Sequence, residues 1–422
     1  MSATESAMGA YLWFILAFLN EVTATFRPRQ LSPCQVVNMD VYCNDLNLRT
    51  IPEELPPNIY TLDLSRNLLQ NLTQEFLAFY TTIHHLNLHS NKIQFIQPGL
   101  FKDMTNLQEL DLSKNYLDIF AVSKTENLSF GENTLQLLEE LYLNGNILGT
   151  IDPLTFYRLP RIRDLHLQQN FLSVCGSHHR LPQRGHHSQA SDCVFLSSIP
   201  TLHYLYLSRN SLESVPQNAF RGSPLLVLDL SENPGLDIHQ NAFSGLEPSL
   251  THLSLKENDL GVLKTDLSVL SSLKNVDLSV NRLTALPLWN KETVIESLNL
   301  QNNSLVTLEY STVLVLEKTL KTLYLGSNPL SCCGNLKFLR MVQKSSMDIP
   351  DIASVTCQYT QDSEHKEISI MSVEQEHCDT IDKKSLGIIV IIITALVLIG
   401  VLTLLSKMCH PRRRRLRRSF KA

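Results

Sequence analysis

Residues 62–69 read LDLSRNLL, residues 86–93 read LNLHSNKI and residues 110–117 read LDLSKNYL. All three are copies of one pattern, LxLxxNxL, and most later copies follow the previous one by 22 to 25 residues. Eleven asparagines mark the copies: Asn67, Asn91, Asn115, Asn146, Asn170, Asn210, Asn233, Asn258, Asn281, Asn303 and Asn328. A unit repeated at this spacing stacks one turn on the next instead of folding around a single centre.

The pattern also predicts what each turn looks like. Alternation in LxL indicates a short strand whose leucines point inward and whose intervening residues face the concave side. The asparagine side chain is expected to turn inward as well, where it can satisfy backbone groups of the turn. We therefore predict an α/β leucine-rich repeat solenoid, a horseshoe with short parallel strands on its concave face. Such a scaffold offers a long binding surface. The sequence has no P-loop, HExxH or GxSxG motif, so we predict a non-enzyme with no catalytic or cofactor-binding residue.

Apolar segments at the two ends predict the topology. The run from Met8 to Leu19, followed by Val22-Thr23-Ala24 as a cleavage site, is typical of a signal peptide; the alternative is an N-terminal helix of a soluble protein. Leu386 to Leu405 is an uncharged stretch of 20 residues, enough to span about 30 Å of bilayer. The last 17 residues carry eight Lys or Arg and no acid, which predicts a cytoplasmic tail and an extracellular solenoid at the plasma membrane.

Net charge differs between the two sides of the predicted membrane segment. The formal net charge is −5 although the tail is strongly basic, so the solenoid side is acidic and nucleic acid is not an expected partner. The predicted organisation is a signal peptide (1–24), an N-terminal cap (25–58), leucine-rich repeats (59–330), a cysteine-bridged C-terminal cap (331–378), a juxtamembrane linker (379–385), a transmembrane helix (386–405) and a basic cytoplasmic tail (406–422).

Eight of the nine cysteines lie on the extracellular side, an even number that fits complete pairing. A bridge between Cys34 and Cys43 would close the N-terminal cap, and one between Cys175 and Cys193 would staple an insertion. The C-terminal cap holds four more, whose pairing the sequence leaves open: Cys332, Cys333, Cys357 and Cys378. Cys409 follows the membrane span, where S-palmitoylation and a reduced thiol are both compatible with its position.

Two intervals exceed the repeat: Asn115 to Asn146 is 31 residues and Asn170 to Asn210 is 40. The second holds two His pairs, His178-His179 and His186-His187, but these lack acidic partners and a fixed spacing, so a solvated loop is favoured and no metal site is predicted. A phenylalanine at a fixed offset from the asparagine predicts a buried spine instead of a binding site, at Phe76, Phe101, Phe156, Phe220 and Phe243.

The concave face is the predicted binding surface. Repeats two to six place His and Tyr where other repeats place Asp, Ser or Asn, and tyrosine is enriched at protein interfaces. The residues predicted to bind a partner are His85, His89, Tyr142, His166, Tyr204 and Tyr206. Three N-x-[ST] sequons predict glycosylation at Asn71, Asn127 and Asn302, given the outward topology.

Six stretches at the two ends of the chain carry a family resemblance: PCQVVNMDVYC (33–43), ELPPNIYTLDLS (54–65), NKIQFIQPGLF (91–101), DLSENPGLDIHQNAFSGLEPSL (229–250), LNLQNNSLVTL (298–308) and LYLGSNPLSCCGN (323–335). They resemble the glycoprotein A repetitions predominant family, leucine-rich repeat proteins that anchor latent transforming growth factor beta at the cell surface. The resemblance implies a cell-surface protein that binds and displays latent transforming growth factor beta and regulates its activation. A general leucine-rich repeat adhesion protein or co-receptor without a signalling domain is the alternative.

One departure from that family is large. The family has a longer solenoid, and its middle block of repeats has no counterpart here; the join falls between about Asn146 and Thr155. In the family, cysteines of the middle block link covalently to the latency-associated peptide, and no residue of this chain matches them. A shortened isoform, an incomplete gene model and a diverged relative all fit the sequence. The resemblance thus implies the identity of the partner but not a covalent link to it.

Overall fold

The computed structural model describes residues 33–77, 79–97, 99–118, 135–149, 151, 156, 159–175, 193–194, 196–197, 199–361, 364–378 and 383–418. The predicted signal peptide, Asn127 and the four insertion histidines lie outside these ranges. The strands are β1 (Gln35–Val37), β2 (Asp40–Tyr42), β3 (Thr61–Asp63), β4 (Asn71–Leu72), β5 (His85–Asn87), β6 (Phe95–Ile96), β7 (Glu109–Asp111), β8 (Glu140–Tyr142), β9 (Asp164–His166), β10 (Tyr204–Tyr206), β11 (Ser214–Val215), β12 (Val227–Asp229), β13 (Asp237–Ile238), β14 (His252–Ser254), β15 (Asn275–Asp277), β16 (Ser297–Asn299), β17 (Thr322–Tyr324), β18 (Leu330–Ser331), β19 (Thr356–Gln361) and β20 (Glu364–Ser369).

The helices are fewer and lie mainly near the C-terminus. They are α1 (Gln74–Leu77), α2 (Tyr310–Leu316), α3 (Leu336–Lys344) and α4 (Lys383–Arg418), with 3-10 turns at Leu267–Val269, Ile352–Ser354, Ile370–Ser372 and Gln375–His377.

One sheet of 13 strands forms the concave face, in the order β1-β2-β3-β5-β7-β8-β9-β10-β12-β14-β15-β16-β17. β1 and β2 make an antiparallel hairpin, whereas every later neighbour is parallel and comes from the next repeat. The middle residue of each repeat strand is buried and the two flanking residues point to the concave side. The leucine-rich repeat solenoid predicted from the sequence is confirmed.

The repeat asparagines are all buried, at 8% exposure or less. Asn115 shows the arrangement: its Oδ1 accepts a hydrogen bond from the Ile93 amide at 2.9 Å, and its Nδ2 donates to the carbonyls of Leu88 (3.1 Å) and Leu112 (3.0 Å). Each asparagine therefore joins its own turn to the preceding repeat. Asn335 extends this ladder into the C-terminal cap, accepting from the Leu308 amide at 2.6 Å. Asn335 is not among the predicted residues because it lies outside the repeat pattern.

The residue before each repeat asparagine adopts a left-handed backbone conformation. The φ values at Arg66, Ser90 and Lys114 are 54°, 56° and 50°. In the fourth repeat the position is Gly145, with φ 70°, where an added Cβ would lie 3.1 Å from Lys114 Cγ. The chain turns sharply here because the asparagine must point back into the core.

The core is one continuous cluster along the solenoid. Four predicted spine residues are buried, Phe101, Phe156, Phe220 and Phe243, which confirms the spine at those positions. Phe76 lies in α1, but its side chain is outside the described part. Short parallel pairs, β4 with β6 and β11 with β13, line the convex side.

Four disulfides close the caps and the insertion. Cys34 pairs with Cys43 across the first hairpin, and Cys175 pairs with Cys193 beside a parallel bridge between Val174 and Val194. In the C-terminal cap, Cys332 pairs with Cys357 and Cys333 with Cys378, which resolves the pairing that the sequence left open. The two cap bonds tie β19 and the 3-10 turn at Gln375–His377 to the segment that follows the last repeat.

The C-terminal helix, α4, contains one candidate membrane span. Gly387–Lys407 is 21 residues long with a mean hydropathy of 3.3, so its length and composition suit a bilayer crossing. The helix starts at Lys383, inside the segment predicted as a linker.

Candidate protein-binding surface

The concave sheet presents two rows of side chains because only the first and third residues of each strand face outward. The strand-start row reads His85, Glu109, Glu140, Asp164 and Tyr204 along five neighbouring strands. The strand-end row reads Asn87, Asp111, Tyr142, His166 and Tyr206 on the same strands.

Three rings of the strand-end row form a continuous stack. The Tyr142 and His166 centroids are 4.3 Å apart with 16° between ring planes. His166 and Tyr206 follow at 4.5 Å and 13°. The stack spans three consecutive repeats even though an insertion separates the last two in sequence, because the register of β9 and β10 is unbroken.

The stack stands in place of a side-chain-to-backbone hydrogen bond that most other repeats form. At this strand-end position a carboxylate or amide usually accepts a hydrogen bond from the backbone N–H two residues later, as at Asp63, Asn87, Asp111, Asp229, Asp277 and Asn299. Tyrosine and neutral histidine at the same position do not make this bond with their rings. Repeats four to six therefore have half-buried aromatic rings on the concave face in place of this local hydrogen bond.

The other predicted binding residues are not part of the stack. Tyr204 lies in the strand-start row, with the Arg163 guanidinium 5.6 Å from its ring centroid. His85 Nδ1 is 2.9 Å from the Glu109 carboxylate, and His89 Nδ1 is 2.7 Å from Ser113 Oγ. The structure thus gathers Tyr142, His166 and Tyr206 in one group and gives the remaining three residues separate partners.

Burial and acidic neighbours shift the pKa values in and beside the stack. Burial lowers the pKa of His166, so its ring is neutral near pH 7. Burial, followed by the hydrogen bond from its hydroxyl to Glu140 at 2.8 Å, raises the pKa of Tyr142 far above its usual range. Burial and the nearby Glu140 charge raise the pKa of Asp164. The surface is therefore half-desolvated, with excess negative charge beside neutral rings.

The predicted binding residues do not include an apolar edge in repeats three to five. In repeats three to five the residue after the asparagine is large and exposed: Tyr116 (51%), Ile147 (44%) and Phe171 (65%). Their amides bond to equivalent positions of the preceding repeats, so the three side chains follow one another along one edge. Comparing this one position across all repeats would have found them, because other repeats mostly place polar residues or proline there.

Two predicted glycosylation sites lie in the described part. Asn71 on β4 and Asn302 are both exposed, and Asn302 has φ 51° in the turn before Asn303. Both are away from the ring stack. Within the described ranges no group of three or more His, Cys, Asp or Glu side chains is placed to hold a metal ion.

The chain is similar to known leucine-rich repeat proteins. The leucine rich repeat family model matches residues 57–117 and 200–260. A mouse Tsukushi is 30% identical over 64% of this chain and 72% of its own length. The solved FLRT2 leucine-rich repeat domain in a complex with Latrophilin 3 and Unc5D superposes with a TM-score of 0.53 at 18% identity, covering 82% of this chain and 98% of that one, which supports the fold alone. The chain belongs to the leucine-rich repeat family.

Within that family, its relatives include two named for transforming growth factor beta. "Transforming growth factor beta activator LRRC32" of Pongo abelii is 35% identical over 80% of this chain and 52% of its own length. "Transforming growth factor beta activator LRRC33" of Danio rerio is 31% identical over 70% and 41%. These relatives confirm the resemblance predicted from the sequence. The chain spans about half their length.

Proposed function

We propose that this chain is a type I membrane protein of the plasma membrane that binds latent transforming growth factor beta, displays it outside the cell and regulates its activation. It acts as a binding scaffold and not as an enzyme. The observation that carries the proposal is the Tyr142–His166–Tyr206 stack, where three repeats have half-buried rings on the concave face in place of a turn hydrogen bond. The relatives named as activators of this growth factor supply the identity of the partner.

Capture of the partner by cells tests the proposal. Cells expressing the full-length protein are incubated with purified latent complex, and bound complex is measured by flow cytometry across a concentration series. Substituting Tyr142→Ala and Tyr206→Ala together should weaken capture about 30-fold or more, because tyrosines at interface centres typically contribute about 2 kcal/mol or more. Tyr324→Ala is the matched control, since Tyr324 occupies the same strand position on β17, far along the solenoid.

The outcomes separate the two functions that the sequence left open. Growth-factor display by this surface is supported if the Tyr142→Ala, Tyr206→Ala variant reaches the cell surface normally but captures less complex, while the Tyr324→Ala control captures as much as the wild type. Absence of capture by the wild-type protein contradicts the proposal and favours the adhesion or co-receptor function.

A further inference from the structure

The strand-start row brings three carboxylates together beside the ring stack. Glu109, Glu140 and Asp164 lie on consecutive strands and are adjacent in register. Neighbouring strands are separated by about 4.8 Å, and like charges directly opposite each other destabilise a sheet. Cations beside such a row offset the repulsion between its carboxylates, and either this chain or a partner can supply them.

A histidine and an arginine side chain of this chain lie at the two ends of the row. His85 reaches Glu109 at 2.9 Å at one end. Arg163 lies over Tyr204 at the other. In the middle, neither Glu140 nor Asp164 forms an ion pair with any residue in the described part of the chain; Glu140 instead accepts the Tyr142 hydroxyl hydrogen bond. Among the described residues, these two adjacent carboxylates at the centre of the sheet face therefore have no close ion pair, and the charge of Arg163 acts on Asp164 without forming one.

The neighbouring rings favour one type of cation. A guanidinium is planar, donates to two carboxylate oxygens at once and packs against aromatic rings, whereas an ammonium is a compact, strongly hydrated charge. Arg163 on Tyr204 shows that this sheet already accommodates a guanidinium against a ring, one strand from Asp164. The half-buried stack also lowers the local dielectric, which strengthens an ion pair formed beside it.

We propose that the sheet face formed by Glu140, Asp164 and the Tyr142–His166–Tyr206 stack docks an arginine-bearing segment of a protein partner, with the guanidinium bridging the two carboxylates beside the rings. The inference deepens the proposed function by naming the chemistry of the contact. It rests on that function only for the identity of the partner, because the charge and ring pattern selects arginine whichever protein carries it.

A minimal probe tests the contact directly. Fluorescent hexa-arginine is titrated into full-length protein in detergent micelles, and its anisotropy is followed. The pair Glu140→Gln and Asp164→Asn keeps side-chain shape and removes both charges. Glu292→Gln with Glu317→Gln removes two exposed charges elsewhere and is the matched control. We expect about fivefold weaker binding in the first pair only, since half-exposed ion pairs are individually modest. Hexa-lysine should bind more weakly than hexa-arginine to the wild type.

Equal losses in the two pairs would show attraction to the acidic solenoid in general and overturn the inference. Equal binding of hexa-lysine would overturn the choice of arginine. The same variants are then tested with the latent growth-factor complex. If wild type captures the complex and neither pair changes capture, the inference fails while the proposed function stands. If hexa-arginine binding depends on Glu140 and Asp164 but the complex is never captured, the proposed function fails and the inference stands.

Discussion

At the scale of single residues, the buried asparagines couple neighbouring repeats. Asn233 is fully buried; its Oδ1 accepts from the amides of Asn210 (2.9 Å) and Leu212 (3.0 Å), and its Nδ2 donates to the Leu230 carbonyl (2.9 Å). Asn233→Ala leaves these backbone groups without a partner, so we expect a loss of about 3 kcal/mol or more at roughly 1–3 kcal/mol per buried group. Denaturant unfolding followed by fluorescence of the buried Trp289 measures it.

The matched control for that change is Asn241→Ala, which removes an exposed amide in the following turn. It should leave the unfolding midpoint within experimental error. Similar losses in both variants would contradict the assignment of the stabilisation to the buried ladder.

His166 gives the ring stack a pH dependence. Because burial lowers its folded pKa below the ordinary 6.5, the unfolded chain binds more protons than the folded chain between these two values. The contribution of His166 to stability is therefore complete above pH 6.5 and is lost as pH falls toward the folded pKa. Asp164, whose pKa burial raises above 3.8, acts in the opposite direction at lower pH.

His166→Gln should flatten the decrease in unfolding midpoint between neutral pH and pH about 5, because glutamine does not titrate. His203→Gln is the control, since that ring contacts Tyr204 at the edge of the surface and is not in the stack. An unchanged pH profile in the His166 variant would mean that other groups cause the acid sensitivity.

At the scale of elements, the sequence period was sufficient for the sheet and insufficient for the caps. LxLxxNxL placed all eleven repeat strands, because a short motif whose side chains alternate in direction determines register directly. The period also placed Tyr142, His166 and Tyr206 on the concave face. It did not predict that their rings touch, because that contact depends on strands pairing across the insertion. α3 and the β19–β20 hairpin follow no repeat, and four cap cysteines allow three pairings.

In addition to the disulfides and Asn335, one carboxylate joins the C-terminal cap to the last repeat. Asp351 Oδ2 accepts hydrogen bonds from the amides of Leu325 (3.0 Å) and Gly326, and from Gln301 Nε2 (3.0 Å). An added Cβ at Gly326 would lie 2.7 Å from this oxygen, so the close approach requires glycine. Asp351→Ala should destabilise the protein by about 2–4 kcal/mol, because charge-assisted bonds are lost and two amides are left unpaired.

Limited proteolysis with mapping of the cleavage sites measures this effect locally. Cleavage in the cap should become faster in Asp351→Ala while the first repeats stay resistant. Asp348→Ala is the control, because that side chain is exposed and its structural contact is through the backbone carbonyl to the Leu323 amide. If the cap resists proteolysis equally in both variants, the disulfides hold it without the Asp351 contact.

At the scale of the whole molecule, the disulfide pattern determines how a partner can be held. Eight of the nine cysteines form four bonds within the chain, and the ninth, Cys409, lies in α4 after the candidate membrane span. The solenoid therefore offers no thiol for an intermolecular disulfide. Any partner on the concave face is retained by surface contacts, so its release rate follows interface quality and responds to substitutions in the ring stack.

This leads to a prediction about the captured growth-factor complex. After capture by cells expressing the full-length protein, denaturing electrophoresis without reductant should separate the two proteins completely. Thiol labelling of the non-reduced, denatured protein should mark no peptide between residues 25 and 385, which serves as the internal check that the four bonds are intact. An adduct at the combined mass that disappears on reduction would contradict the prediction. Labelling of Cys175 or Cys193 in the same sample would then identify the insertion as the covalent docking point. The bond between these two cysteines is the disulfide that lies within the repeats, outside both caps.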